Sequence, residues 1–223
     1  PNTDTPTWPE VIDYAPYVTG SPGAFARLRR RFKGADAFRL VYFGDSITQG
    51  GDVDPDCRFT TRFSQTLTEN HPRKALSFVN AAIGGTSSSV GRDRFDRDVL
   101  AHRPDAVTIM FALNDKKLDD ATFLANHRYF VSELRKRDAE PILMTSNMNT
   151  QVWMPGLDHA EQRILDFCRD EDLICLDAYG IWKDLGRYGI PHETLLSNGI
   201  NHPDNVAAGV FHELLKRAFT EVT

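Results

Sequence analysis

Cysteine is scarce in this chain: Cys57, Cys168 and Cys175 are the only three in 223 residues. Three scattered thiols exclude both a disulfide framework and a cysteine-rich zinc site. Cys168 and Cys175 fall in apolar stretches, as buried thiols do, and Cys57 falls in a polar loop. No apolar run approaches the about 20 residues that a membrane-spanning helix needs. Positive charge is not in excess either. The net charge is -5, so nothing draws the chain toward nucleic acid or an anionic membrane. One basic cluster exists, Arg27 to Lys33, but Phe25, Leu28 and Phe32 recur through it at helical spacing, which reads as a solvated helix face. Repeats, low-complexity tracts and internal linkers are also missing, which points to a single domain over 22–223.

What is present is the balance of an ordinary globular protein, 41% hydrophobic and 26% charged. Residues 1–21 are rich in Pro, Thr and Asp and read as an irregular lead-in. Such a start, opening on Pro1, fits a segment that follows a signal or another domain, and so a secreted or periplasmic setting. A short helix is expected over 22–33. Five short apolar runs follow: Phe38–Phe43, Leu76–Asn80, Ala106–Phe111, Pro141–Thr145 and Leu173–Asp177. None alternates, and each is bounded by polar or turn residues, as buried parallel strands are. Helical patterns over 118–137, 157–171 and 203–220 separate or follow them. This alternation predicts a five-stranded parallel sheet covered on both faces.

Chemistry is expected at the carboxyl ends of those strands, where open α/β sheets keep their ligands. After the first strand, Gly44-Asp45-Ser46-Ile47-Thr48-Gln49-Gly50 throws a serine onto a glycine-flanked turn, where it can serve as a nucleophile. After the second, Asn80-Ala81-Ala82-Ile83-Gly84-Gly85 offers a sharp turn with an unblocked N–H. After the third, Leu113-Asn114-Asp115 offers a side-chain amide. Near the C-terminus, Asn198-Gly199-Ile200-Asn201-His202-Pro203 precedes the last helical pattern. Pro203 at a first helical position would put His202 at a helix amino end, where the dipole favours neutral imidazole.

Taken in order, these four blocks resemble the SGNH hydrolases, also called the GDSL esterase/lipase family, over roughly residues 38 to 220. The resemblance implies a flavodoxin-like three-layer α/β/α sandwich and a carboxylic ester hydrolase that needs no metal or organic cofactor. It makes Ser46 the nucleophile and His202 the general base. The Ser46 N–H, the Gly85 N–H and the Asn114 amide become oxyanion donors. Two positions depart from the family pattern. Ala112 stands where Gly is usual, and Asn198 stands where an Asp usually precedes the histidine. An Asn carbonyl can accept the imidazole Nδ1–H, but it brings no charge. His202 is therefore steadied by Asn198, by a backbone carbonyl or by another Asp, or else the chain is a non-catalytic carbohydrate-binding relic.

Other catalytic motifs fail at particular residues. A Gly-x-Ser-x-Gly elbow would need Gly at Thr48, and a P-loop would need Lys where Gln49-Gly50-Gly51 stands. His192-Glu193 lacks the second histidine of a zinc protease. The loop of Asp52, Asp54 and Asp56, with Asn147, Asn149, Gln151 and Trp153 after the fourth strand, offers polar amides and an aromatic plane. Such a surface suits a sugar ring and favours acetyl esters on a small or polymeric carbohydrate, with Trp153 as a substrate contact. The alternative is a lipase-like or thioesterase activity on longer acyl chains.

Overall fold

The structure is a computed structural model that describes residues 8–34, 36–150 and 156–222. Six strands form one sheet: β1 (Val18–Thr19), β2 (Ala37–Gly44), β3 (Ala75–Asn80), β4 (Ala106–Met110), β5 (Glu140–Met144) and β6 (Ile174–Leu176). Their order is β1-β6-β5-β4-β2-β3. All neighbours are parallel except the β1–β6 pair, which is antiparallel. The five expected strands are therefore present and parallel. The sixth comes from the stretch read as an irregular lead-in, because Val18–Thr19 is too short to carry any pattern. With β1 set aside, the order is the flavodoxin-like 2-1-3-4-5, whose connections reverse direction between β2 and β4.

Nine α-helices, with six short 3-10 turns between elements, complete the described residues: α1 (Pro22–Lys33), α2 (Ser46–Gln49), α3 (Phe59–Asn70), α4 (Ser88–Asp98), α5 (Ala112–Asp115), α6 (Asp120–Arg135), α7 (Leu157–Asp170), α8 (Ala178–Asp184) and α9 (Gly209–Thr220). Ser21 accepts the Ala24 N–H and Pro22 takes the first position of α1, so that helix starts where its capping chemistry dictates. Helix α9 begins at Gly209, later than the 203 that its apolar spacing suggests. Asp204 Oδ1 accepts the N–H groups of Val206 and Ala207 and holds the chain in turns ahead of the helix.

Alternate residues of β2 feed two aromatic clusters, one on each face of the sheet. Phe38 meets Phe32 of α1 and Phe219 of α9, which also meets Phe63 of α3. Four residues on, and on the same face, Tyr42 meets Phe59 of α3, which packs on Phe211 and through it on Trp182 of α8. On the other face Phe43 meets Phe95 of α4, Phe111 and Phe130 of α6. The result is a three-layer sandwich with buried aromatics on both sides of one strand. Arg94, with a side chain only 5% exposed, lies over the Phe43 ring and donates to the carbonyls of Gly44 and Ala81. It thereby ties together the carboxyl ends of β2 and β3.

Gly44 ends β2 beside β4. A Cβ there would stand 2.7 Å from the Met110 carbonyl oxygen and 2.4 Å from Thr48 Oγ1. Gly44→Ala is therefore expected to cost about 1–3 kcal/mol in urea unfolding, through displacement of the β2–β4 contact. Unchanged stability would show that the turn after β2 is not set by this close approach.

Candidate active site

Parallel pairing aligns the strand ends. Tyr42 faces Asn80 across β2–β3, and Gly44 faces Met110 across β2–β4. The three loops that follow therefore open on one edge of the sheet, at the point where the connections reverse. Ser46 is the first residue of α2, whose Asp45 cap accepts the Ile47 N–H at 3.0 Å. Its own N–H belongs to the first turn, where backbone donors have no partner within the helix. Asn80 locks this turn to the next strand by donating to the Thr48 carbonyl while accepting the Ala82 N–H.

His202 arrives from the far end of the sequence. Its Nε2 lies 2.9 Å from Ser46 Oγ, and its Nδ1 lies 2.5 Å from Asp52 Oδ2. A carboxylate only accepts, so Nδ1–H donates to Asp52 and Nε2 keeps the lone pair that accepts the Ser46 hydroxyl proton. The His202 side chain is 24% exposed and that of Asp52 43%, so solvent reaches both.

Asn198 is not the partner of the His202 ring. Its Oδ1 accepts the backbone N–H groups of Ile200, Asn201 and His202, and its Nδ2 donates to Asn201 Oδ1. That network shapes the turn, with Gly199 at φ +66° inside it, and leaves the side chain no role at Nδ1. The Nδ1 position is filled from the opposite side, six residues after Ser46. Nor does His202 sit at a helix amino end: Pro203 bridges to Leu196, and α9 begins only at Gly209.

Gly84 and Gly85 stand beside the serine. A Cβ on Gly84 would lie 3.5 Å from Ser46 Cβ, and its N–H donates to Gln49 Oε1 at 3.0 Å. Gly85 has φ +74°, and a Cβ there would meet nothing within 4 Å, so its backbone borders open space. Asn114 also reaches the cluster, with Nδ2 donating to Asp45 Oδ2 at 3.0 Å and to the Thr86 carbonyl at 3.2 Å. Both amide protons are thus engaged, one by the residue before the serine and one by the residue after Gly85.

Three further carboxylates, Asp45, Asp115 and Glu161, are fully buried. Burial pushes the Asp45 carboxyl up to about 7, with Asp115 adding to the shift and the Ile47 N–H and Asn114 amide opposing it. Burial likewise raises Asp115 to about 6 against the opposing Ser88 contacts. Glu161, fully buried and bonded to Ser146, is pushed up to about 8. A cavity of about 540 Å³ lined by Asp158, Glu161, Asp177, Lys183 and Asp184 contains neither Ser46 nor His202. Among the described residues, no group of three or more His, Cys, Asp or Glu is placed to hold a metal ion, and no helix is long and apolar enough to cross a membrane.

Two of the amides expected to face a sugar are turned away from the surface. Asn147 and Asn149 are fully buried. Asn147 Nδ2 donates to the Asn201 carbonyl, and Thr150 N–H donates to the Ile200 carbonyl, so this segment braces the loop that carries His202. Gln151 and Trp153 lie outside the described residues.

A model of the GDSL-like lipase/acylhydrolase family matches residues 42–208. The chain is 34% identical over 114 residues to an uncharacterized lipoprotein, YqeF, of Bacillus subtilis, a match covering 48% of this chain and 47% of that protein. It is 27% identical over 105 residues to an acetylxylan esterase of Geobacillus stearothermophilus, covering 43% of this chain and 48% of that enzyme. The matches thus span about half the length of these curated relatives. Among solved structures, a two-domain esterase active on acetylated mannans superposes with a TM-score of 0.76 at 20% identity, over 95% of this chain and 56% of that one. At that identity the likeness is one of fold.

Glu161 provides a test of the buried acid layer. Its carboxyl is raised from 4.5 to about 8, so the folded protein holds this proton longer than the unfolded chain does. The stability it contributes in protonated form is therefore lost as pH rises from about 4.5 to about 8. Glu161→Gln cannot titrate, so its melting temperature relative to wild type is expected to climb across that window and level off above it. A pH-independent difference would disprove the assignment.

Proposed function

The chain belongs to the GDSL-like lipase/acylhydrolase family, and we propose that it is a serine ester hydrolase that removes acetyl groups from a carbohydrate. The observation that carries the reading is the unbroken series Ser46 Oγ, His202 and Asp52, with contacts of 2.9 and 2.5 Å. In the proposed mechanism His202 Nε2 takes the hydroxyl proton as Ser46 Oγ attacks the ester carbonyl. Asp52 holds the ring in the required tautomer and stabilises the imidazolium that forms. His202 then protonates the leaving sugar hydroxyl, and water admitted to the same position releases acetate from the acyl-enzyme.

Negative charge on the carbonyl oxygen is met by the Ser46 and Gly85 N–H groups and by Asn114. Asn114 has two engaged protons, and the one on the Thr86 carbonyl, at 3.2 Å, is the longer bond. It is the proton that turns to the oxyanion, while the bond to Asp45 keeps the amide in place. Acetyl esters on sugars are favoured by the likeness to an acetylxylan esterase and to an esterase active on acetylated mannans. Hydrolysis of longer acyl chains is the second reading. It draws on Ile83 and Ile200, both 41% exposed on the loops that carry Gly85 and His202. The case for a non-catalytic relic rested on Asn198, and it weakens once Asp52 occupies the Nδ1 position.

A serine-directed phosphonate should label the wild-type protein at Ser46 and leave Ser46→Ala unlabelled; a folded wild-type protein that resists labelling would sink the catalytic reading. Across nitrophenyl esters from acetyl to decanoyl, turnover should be highest on acetyl, and a preference for long chains would install the second reading instead. Asp52→Asn should lower kcat by about 10²- to 10⁴-fold, whereas Asn198→Ala should act through the turn alone and cost far less. Equal losses at the two positions would contradict the role given to Asp52. Asn114→Ala should lower kcat by about 10²–10³-fold with little change in KM.

A further inference from the structure

Asp52 reaches His202 only if two loops distant in sequence stay in register. One runs from Gly50 to Asp54 behind the serine, and the other carries His202 to Asn205. Each is firm internally. Arg58 Nε donates to the Gly50 carbonyl at 2.9 Å and to the Val53 carbonyl at 3.4 Å, and its side chain fills the space that a Cβ on Gly50 would need. The histidine loop is held by Asn198 and by the Asp204 N–H, which donates to the Leu195 carbonyl. Between the loops, besides the Asp52–His202 contact, runs a reciprocal pair of bonds. The Asp54 N–H donates to Asn205 Oδ1 at 2.9 Å, and Asn205 Nδ2 donates to Asp54 Oδ2 at 2.7 Å.

We propose that the Asp54–Asn205 pair is a positioning device that docks the loop bearing Asp52 onto the loop bearing His202. Neither residue touches Ser46 or the His202 ring. An exposed carboxylate on a surface loop is free to turn into water, and one contact with an imidazole does not define the loop's path. Two bonds, one to the backbone of residue 54 and one to its side chain, fix both the distance between the loops and their relative rotation. They lie two residues beyond Asp52 on one loop and three beyond His202 on the other. The arrangement also explains how the chain can lack an acid at position 198: an acid from the serine loop replaces it, provided that the loop is anchored.

The role given to the pair rests on the ester-hydrolase reading, and its test has a readout independent of turnover. Asn205→Asp leaves an acceptor for the Asp54 N–H but sets two carboxylates against each other where a hydrogen bond stood. It should lose the downfield proton resonance of the His202–Asp52 hydrogen bond and lower kcat about 10- to 100-fold, approaching the loss in Asp52→Asn, with KM within about twofold. The double variant Asp54→Asn/Asn205→Asp rebuilds both bonds with the roles of the side chains exchanged, so resonance and kcat should both return. Placed on Asp52→Asn, Asn205→Asp should lower kcat no further, because the two act through one contact. Should Asn205→Asp fail to fold, Asn205→Ala removes the side-chain bonds without adding charge and should show the same losses in weaker form. Retention of resonance and kcat in both single variants, or a double variant as impaired as Asn205→Asp, would overturn the proposal. If the wild-type protein hydrolyses no ester, the functional reading falls, and the resonance alone still decides whether the pair positions Asp52.

Discussion

Strand β2 is paired in parallel on both sides, with β3 and with β4, and every residue from Leu40 to Gly44 registers with a partner on β4. The rest of the molecule depends on this constraint. Because the three strands run the same way, their carboxyl ends meet at one edge, and the chain must leave that edge through loops that diverge to opposite faces. Ser46, the Gly84–Gly85 turn and Asn114 lie within five residues of those strand ends. The aromatic clusters around Phe38 and Phe43 hold β2 from both faces, and Arg94 ties its last carbonyl to that of Ala81. The gathering of these three loops at one edge follows from strand geometry before any substrate is considered.

The site joins a rigid half and an exposed half. Serine, glycine turn and asparagine are bound to one another through Asn80, Gln49, Asp45 and the Thr86 carbonyl, with Asp45 wholly buried. Histidine and acid stand on surface loops that are secured by hydrogen bonds as well as by the burial of Val53 and Leu196. Donors that must meet a developing charge gain from being fixed in advance, because no reorganisation is then needed as the charge appears. A base that takes and returns a proton works from a position open to the leaving group and to water. The buried Asp45, which accepts from Asn114, and Asp115 are acids whose ionisation is opposed by burial.

Much of the fold was legible because its strands are short unbroken apolar runs and helix α1 carries its own cap. Helix α3 was missed although Phe59, Phe63 and Leu67 recur along it at four-residue spacing; the other features that escaped were those without a pattern. Strand β1 has two residues. Helix α4 buries Ser88, Gly91 and Arg94, so its inward face does not look apolar. Helix α9 starts late because Asp204 turns the chain before the apolar spacing can take effect. Asn147 and Asn149 read as surface amides, yet both are fully buried, and Asn147 donates to the carbonyl of Asn201. Composition cannot distinguish a loop that faces substrate from one that supports another loop.

By itself the sequence determined the parallel sheet and the edge at which chemistry is expected, and through the family resemblance it singled out the four residues of the proposed site, Ser46, Gly85, Asn114 and His202. Ser46, Gly85 and Asn114 lie just past strands that their apolar runs mark out, whereas His202 sits in a turn that its neighbours did not reveal. Only the tertiary structure decided which side chain meets His202 Nδ1. Position 198, next to the histidine in sequence, holds an asparagine that is spent on backbone N–H groups, and the acid comes from Asp52, 150 residues away along the chain. A contact between two loops depends on where the strands beneath them end and on the bonds between the loops themselves, and neither is encoded in the spacing of residues along one segment.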